Sequence, residues 1–146
     1  MVTWQRSMEF LATLACAIFA GAAIYINAVE HPARISCGTE LAATQWAPSY
    51  QRATWMQAPL AVLGFVSAVV AWLAGSSAWW LVGGSLLGLV VPFTLAAIMP
   101  TNRRLLSPDL DQRSEEAGQL LQRWNRLHGV RTMLSVVALV IFLLNA

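Results

Sequence analysis

Three stretches of the chain carry no Asp, Glu, Arg or Lys: Phe10–Val29, Ala53–Asn102 and Thr132–Ala146. A helix needs about 20 mostly apolar residues to cross the hydrocarbon core of a bilayer. Phe10–Val29 fits one crossing. Ala53–Asn102 is long enough for two, and Gly75-Ser76-Ser77 near its middle is the strongest turn signal available there. The 15 residues of Thr132–Ala146 reach only about 22 Å into a core about 30 Å thick. The last helix must therefore begin near Leu127, which places His128 and Arg131 inside the membrane boundary. The pattern predicts an all-α, integral membrane, antiparallel four-helix bundle forming a single transmembrane domain over 1–146. Its spans are expected at about 9–29, 55–74, 78–99 and 127–146.

Between the third and fourth spans, 100–126 reads as a polar loop followed by an amphipathic helix. Ser114-Glu115-Glu116 puts acidic residues in a first turn, and Leu120, Leu121, Trp124 and Leu127 follow at helical spacing. That helix is expected to extend directly into the last span. Small residues suit close helix contacts: Gly21, Ala22 and Ala23 in the first span, Gly64 in the second, and Gly83, Gly84 and Gly88 in the third. Pro92 removes a backbone donor and frees the carbonyl of Gly88, so a kink is expected there.

Composition agrees with this pattern. Of 146 residues, 58% are hydrophobic and 11% charged, against about a quarter charged in soluble domains. An ordinary soluble globule is excluded. All nine basic residues are Arg, and a net charge of +2 on so apolar a chain argues against a nucleic-acid surface. Cys16 and Cys37 have neither metal-type spacing nor a disulfide framework and read as free thiols. Thr13-Leu14-Ala15-Cys16 touches on a lipoprotein cleavage site, but too few apolar residues precede it, so the N-terminus is read as a retained anchor.

The charges are unevenly placed. In an up-down-up-down topology Arg6 and Glu9 lie at one end, and the other 14 charges lie at the opposite end. The positive-inside rule then puts loops 30–54 and 100–126 in the cytoplasm and both termini outside, in a bacterial inner membrane. Polar side chains sort the same way: Asn27, Glu30 and His31 close the first span, Tyr50 and Arg52 precede the second, Thr101, Asn102 and Arg103 follow the third, and Trp124, His128 and Arg131 enter the fourth. Asn27 and His31 are four apart, as are Trp124 and His128, so each pair shares a helix face. The bland alternative is an interfacial belt of snorkelling Arg and aromatic residues, with His31-Pro32 merely ending a helix. Ionisable groups at that depth are otherwise functional by default.

Three segments carry a resemblance: Glu30-His31-Pro32-Ala33, Pro100-Thr101-Asn102-Arg103-Arg104-Leu105-Leu106, and Trp124-Asn125-Arg126-Leu127-His128-Gly129-Val130-Arg131-Thr132. Together, and in this order, the chain resembles the anthrone oxygenase-like family of small four-span membrane proteins. The resemblance runs from about Phe10 to the C-terminus. It implies a four-span bundle and, from characterised fungal members, oxidation of a tricyclic anthrone methylene to the quinone ketone with molecular oxygen. Its motifs point to His31, Asn102, Trp124, His128 and Arg131 as the polar signature.

An anthrone is acidic at its methylene, and its enolate is electron-rich enough to react with oxygen directly. Such chemistry needs a base and a cation, and no cofactor is expected. His31 or His128 would take the proton, while Arg131 and Asn102 would hold the developing oxyanion. Trp124, Trp55 and Tyr50 would pack on a flat substrate, with Asn27 and Arg103 completing its binding set. A quinone or phenolic lipid would suit the same site. The expected partners are membrane lipid and a lipophilic aromatic small molecule, with no nucleic acid; a homo-oligomer stays open. Two alternatives remain at this stage. One is an iron, copper or haem centre on His31 and His128, with Glu30. The other is a non-enzymatic lipophile-binding or accessory membrane protein. No ionisable residue lies mid-membrane, which argues against a channel or transporter.

Overall fold

The computed structural model describes residues 2–146, and every regular element among them is helical. α1 (Val2–Tyr25) passes through a π-helical turn (Ile26–Glu30) into α2 (His31–Ser36), and α3 spans Thr39–Leu73. α4 (Ala78–Phe93) passes through a second π-helical turn (Thr94–Ile98) into α5 (Met99–Leu105), and α6 spans Glu115–Asn145. These elements form four rods, Thr3–Ser36, Thr39–Leu73, Ala78–Leu105 and Glu115–Asn145, each long and apolar enough to cross a membrane. α3 packs on α1 and α4, and α6 closes the ring against the same two helices.

The rods are longer than the spans read from the sequence. Segment 30–54 is not a loop. α2 and the first turns of α3 occupy it, and the chain reverses at Cys37-Gly38, where Gly38 has a φ of 91° that favours glycine. The third rod continues past residue 99 to Leu105, so 100–126 divides into the end of α5, a loop and the start of α6. α6 begins where Ser114 Oγ accepts a hydrogen bond from the Ala117 N–H at 3.1 Å, an N-cap with Glu115 and Glu116 in the first turn. It then runs without interruption to Asn145.

Both irregular turns have the same cause. Pro32 and Pro100 each follow a π turn by two residues. In a regular α-helix each ring would press on the carbonyl four residues back, that of Ala28 or Ala96. Widening the turn by one residue relieves the clash. The His31 N–H then bonds to the Ile26 carbonyl, and the Met99 N–H to that of Thr94. Pro92, expected to kink the third span, instead lies within α4, and the irregularity begins at Thr94. His31-Pro32 likewise does not end a helix; it starts α2.

Two apolar clusters result. The inner one joins Phe19, Ala61, Trp80, Leu87 and Phe142, with Trp80 stacked on Phe142 at 4.9 Å. The outer one joins Ile26, Trp46, Ile98, Leu121 and Trp124. Along α6 the buried face runs from Leu121 and Trp124 through His128 and Ser135 to Ala138 and Phe142, so a polar layer separates the clusters. Ser76 Oγ donates to Glu9 at 2.7 Å, which fastens the hairpin to α1 at the far end. Arg131 lies about 21 Å along α6 from Asn145. A slab about 30 Å thick that begins at the hairpin end therefore encloses it.

In lipid, helices associate through close packing rather than apolar burial. Gly84 shows how close: a Cβ there would lie 2.7 Å from the Cβ of Ala68. Gly84→Val is expected to destabilise the bundle by about 1–3 kcal/mol through overpacking, read as a lower Tm of the purified protein in lipid nanodiscs. An unchanged Tm would refute this contact.

Candidate functional site

The first π turn presents Asn27 to α6. The Asn27 Nδ2 group donates to the Asn125 carbonyl oxygen at 3.1 Å and to Asn125 Oδ1 at 2.7 Å. A backbone carbonyl can only accept, so the amide orientation is fixed with Oδ1 on the other side. There Oδ1 accepts from Thr132 Oγ1 at 2.6 Å and lies 2.8 Å from His128 Nδ1. His128 then carries a proton on Nδ1, and in the neutral ring Nε2 is the lone-pair nitrogen. His128 is 1% exposed, and its ring stacks on Trp124 at 4.8 Å.

Arg131 follows one turn later. Its guanidinium donates to Gln57 Oε1 at 2.8 Å and sits 5.5 Å from the Phe19 ring centroid, a cation–π contact. None of the three ion pairs among the described residues includes it: they are Arg34–Glu30, Arg104–Glu116 and Arg113–Glu40. Arg131 Nε and Gln57 Nε2 are buried without a protein partner. A half-buried cation with a buried Nε, held only by an amide oxygen and an aromatic face, suits an anionic or strongly polarised ligand.

Arg131 heads a cavity of about 130 Å³ between α3 and the third rod, walled by Phe19, Tyr50, Ala61, Val90 and Leu95. A void of about 10 Å³ lies behind Tyr50 and Gln57 and is lined by both His128 and Arg131. His128 and Arg131 thus meet across one small space. Tyr50 borders both openings and stacks on Trp46 at 5.0 Å.

His31 packs on Trp124 at a ring separation of 5.8 Å, with Nδ1 buried and unpartnered. It lines neither space. Asn102 is 0% exposed, and both of its side-chain polar atoms lack a protein partner; it too lines neither space. Trp55 is 83% exposed and turns outward, and Arg103 is also exposed, so neither joins the cluster expected from the sequence.

Glu30 has a different partner set from the metal arrangement considered above. Its Oε1 accepts from Arg34, from Ser49 and, at 3.2 Å, from Gln45. The Arg34 side chain is buried and lies 5.9 Å from the Trp124 ring. No three His, Cys, Asp or Glu converge among the described residues.

Sequence reasoning missed Gln57, Arg34, Ser49, Asn125 and Thr132 as members of the polar layer. Gln57 was detectable as the one amide in the otherwise apolar run from Trp55 to Ala74. Arg34 and Thr132 each fall four residues after a residue already singled out, Glu30 and His128.

The Asn27 tie generates a stability prediction. Asn27→Leu strands His128 Nδ1 and Thr132 Oγ1 and is expected to cost about 1–3 kcal/mol, measured by chemical denaturation in mixed micelles. The loss should be smaller in a His128→Phe background, where no Nδ1 is left to strand; equal losses in the two backgrounds would deny Oδ1 its role.

The anthrone oxygenase family model matches residues 46–141. The match takes in Tyr50, Gln57, Asn102, Trp124, His128 and Arg131, while Asn27 and His31 precede it. No curated protein and no solved structure matches the chain. On a match that covers most of its length, from α3 to near the end of α6, the chain belongs to the anthrone oxygenase family.

Proposed function

We propose that the protein is a membrane oxygenase that oxidises an activated methylene or hydroxyl of a lipophilic aromatic molecule, of anthrone, quinol or phenol type, with molecular oxygen. The observation that carries this reading is the meeting of His128 and Arg131 across one void, with Nε2 of His128 left as a lone-pair nitrogen. In this reading Nε2 takes the substrate's proton through a single water, because His128 borders the void of about 10 Å³ and not the cavity that holds the ring. The Arg131 guanidinium draws the resulting enolate or phenolate oxygen toward itself and stabilises the charge that develops there. Tyr50 and Phe19 pack on the ring. For an anthrone the methylene carbon loses two hydrogens and gains one oxygen atom of O2, and the second oxygen atom leaves as water. Trp124 backs the His128 ring and fixes its plane.

His128 is the better candidate for the base than His31, because His31 lines neither space beside Arg131. Asn102, placed away from those spaces, is not given a share of the oxyanion. The arginine-rich end of the bundle is assigned to the cytoplasm of a bacterial inner membrane, with residues 1 and 146 outside, by the excess of arginine at that end.

Two measurements test these assignments. Oxygen uptake by the reconstituted protein with an anthrone is expected to fall by about 10²–10⁴-fold in His128→Gln and by about 10²–10³-fold in Arg131→Gln, with His31→Gln far milder. Equal activity in His128→Gln and the unmodified chain would exclude the base, and no uptake at all would exclude the reaction. For the orientation, a C-terminal reporter that fluoresces only in the cytoplasm should stay dark; a bright signal reverses it.

A further inference from the structure

We propose that the groove between α1 and α3 holds one phospholipid with a primary amine in its headgroup, a phosphatidylethanolamine. The lipid lies along the bundle with its phosphate on Arg52 and its ammonium on Glu30. This site does not rest on the oxidation reading above.

The groove has a volume of about 670 Å³, within the roughly 300–1,000 Å³ of sites that hold drug-sized molecules. Along α3 it extends from Gln45 to Gln57, about 18 Å at the rise of an α-helix. One leaflet of a hydrocarbon core about 30 Å thick takes up about 15 Å. The hydrogen bonds from Gln45 and Ser49 to Glu30 put these three residues at one level, toward the arginine-rich end. Arg52 lies about one turn further in. Beyond it the walls are Ala22, Tyr25, Ile26, Ala53 and Met56, with Gln57 at the inner limit. Charge is thus confined to the outer part of the groove, and the inner part is mainly apolar. That is the profile of a headgroup followed by an acyl chain. Tyr25, Arg52 and Met56 are exposed, so the groove opens sideways to the bilayer.

The order of the two charges selects the headgroup. Glu30 Oε1 accepts from Arg34, Ser49 and Gln45, and Oε2 has no partner among the described residues. Arg52 belongs to none of the three ion pairs among them. The groove therefore offers a carboxylate oxygen at the level of Ser49 and a guanidinium from a position about 4.5 Å further in, three residues along α3. Phosphatidylethanolamine presents the complementary order, because its ammonium projects toward water beyond its phosphate. The guanidinium takes the phosphate in a charge-assisted pair, and the ammonium donates to Glu30 Oε2. Phosphatidylcholine carries the same charges in the same order, but its quaternary ammonium has no proton to donate. Phosphatidylglycerol offers the phosphate to Arg52 and no cation to Glu30.

Lipid titration followed by native mass spectrometry of the detergent-solubilised protein tests the site, with the Kd of the first bound lipid as the readout. Phosphatidylethanolamine is expected to bind about tenfold more tightly than phosphatidylcholine of the same acyl chains, the effect of one hydrogen bond between charged groups. Arg52→Gln should weaken phosphatidylethanolamine by about tenfold. Ala22→Phe, which fills the inner groove, should weaken all headgroups alike. Glu30→Gln should abolish the preference for ethanolamine over choline; if the loss of the Arg34 partner unfolds that variant, the comparison of lipids on the unmodified chain decides the point. Equal affinity for the ethanolamine and choline lipids, tighter binding of phosphatidylglycerol, or unchanged affinity in Arg52→Gln or Ala22→Phe overturns the proposal. A protein that oxidises an anthrone yet shows no headgroup preference keeps its reaction and loses the lipid site.

Discussion

A side-chain amide enclosed by helices in lipid has little water to turn to, so every donor or acceptor left without a protein partner is costly. Asn27 meets that demand with two acceptors on Asn125 and two neighbours on Oδ1, Thr132 and His128. The rest of the polar layer depends on this arrangement. It fixes the tautomer of His128, holds the first rod against α6 at one height, and sets where Arg131, one turn further on, meets Gln57 of α3. Without the carbonyl of Asn125 to define the amide, neither the proton on Nδ1 nor the lone pair on Nε2 would follow.

The layer combines satisfied and unsatisfied groups in different places. On the outer side Arg34, Ser49 and Gln45 all donate to Glu30 Oε1, while Arg34 Nε is buried without a protein partner. Arg131 and Gln57 keep buried donors without protein partners. The first set has the character of scaffolding, since the charge of Arg34 is balanced by Glu30, whereas that of Arg131 has no carboxylate partner among the described residues. The second is costly in the absence of a ligand, and such costs concentrate where a molecule is bound.

The fold was legible in the sequence to the extent that the bilayer dictates it. Charge-free runs and one Gly-Ser-Ser turn locate the spans, and Ser114 with its acidic successors locates the start of α6. The extent of the rods was not legible, because the charges in 30–54 and 100–126 mark the end of the apolar slab and not the end of a helix. The π turns were hidden for a related reason: Pro32 reads as a terminator unless the preceding turn can widen. For the site, His128, Arg131, Trp124 and Tyr50 came from depth and helical spacing. Trp55 and Arg103 were misplaced by the same rule, since depth along a helix carries no information about which way a side chain faces. Gln57 is two residues from Trp55 and points inward where Trp55 points outward. Only the packing of α3 between α1 and α4 decides between them.

Each π turn amounts to one residue inserted into an otherwise regular rod, and one residue turns everything beyond it by about 100°. The first and third rods therefore consist of two segments in separate rotational phase, joined at the level of the polar layer. The inner segment of each rod is phased to Phe142 and the membrane core, and the outer segment to Trp124 and the cap. This division gives the chain two surfaces that can change sequence on separate schedules, so that members of one lineage could remodel the cap for a new ligand while the lipid-embedded seam stays as it is.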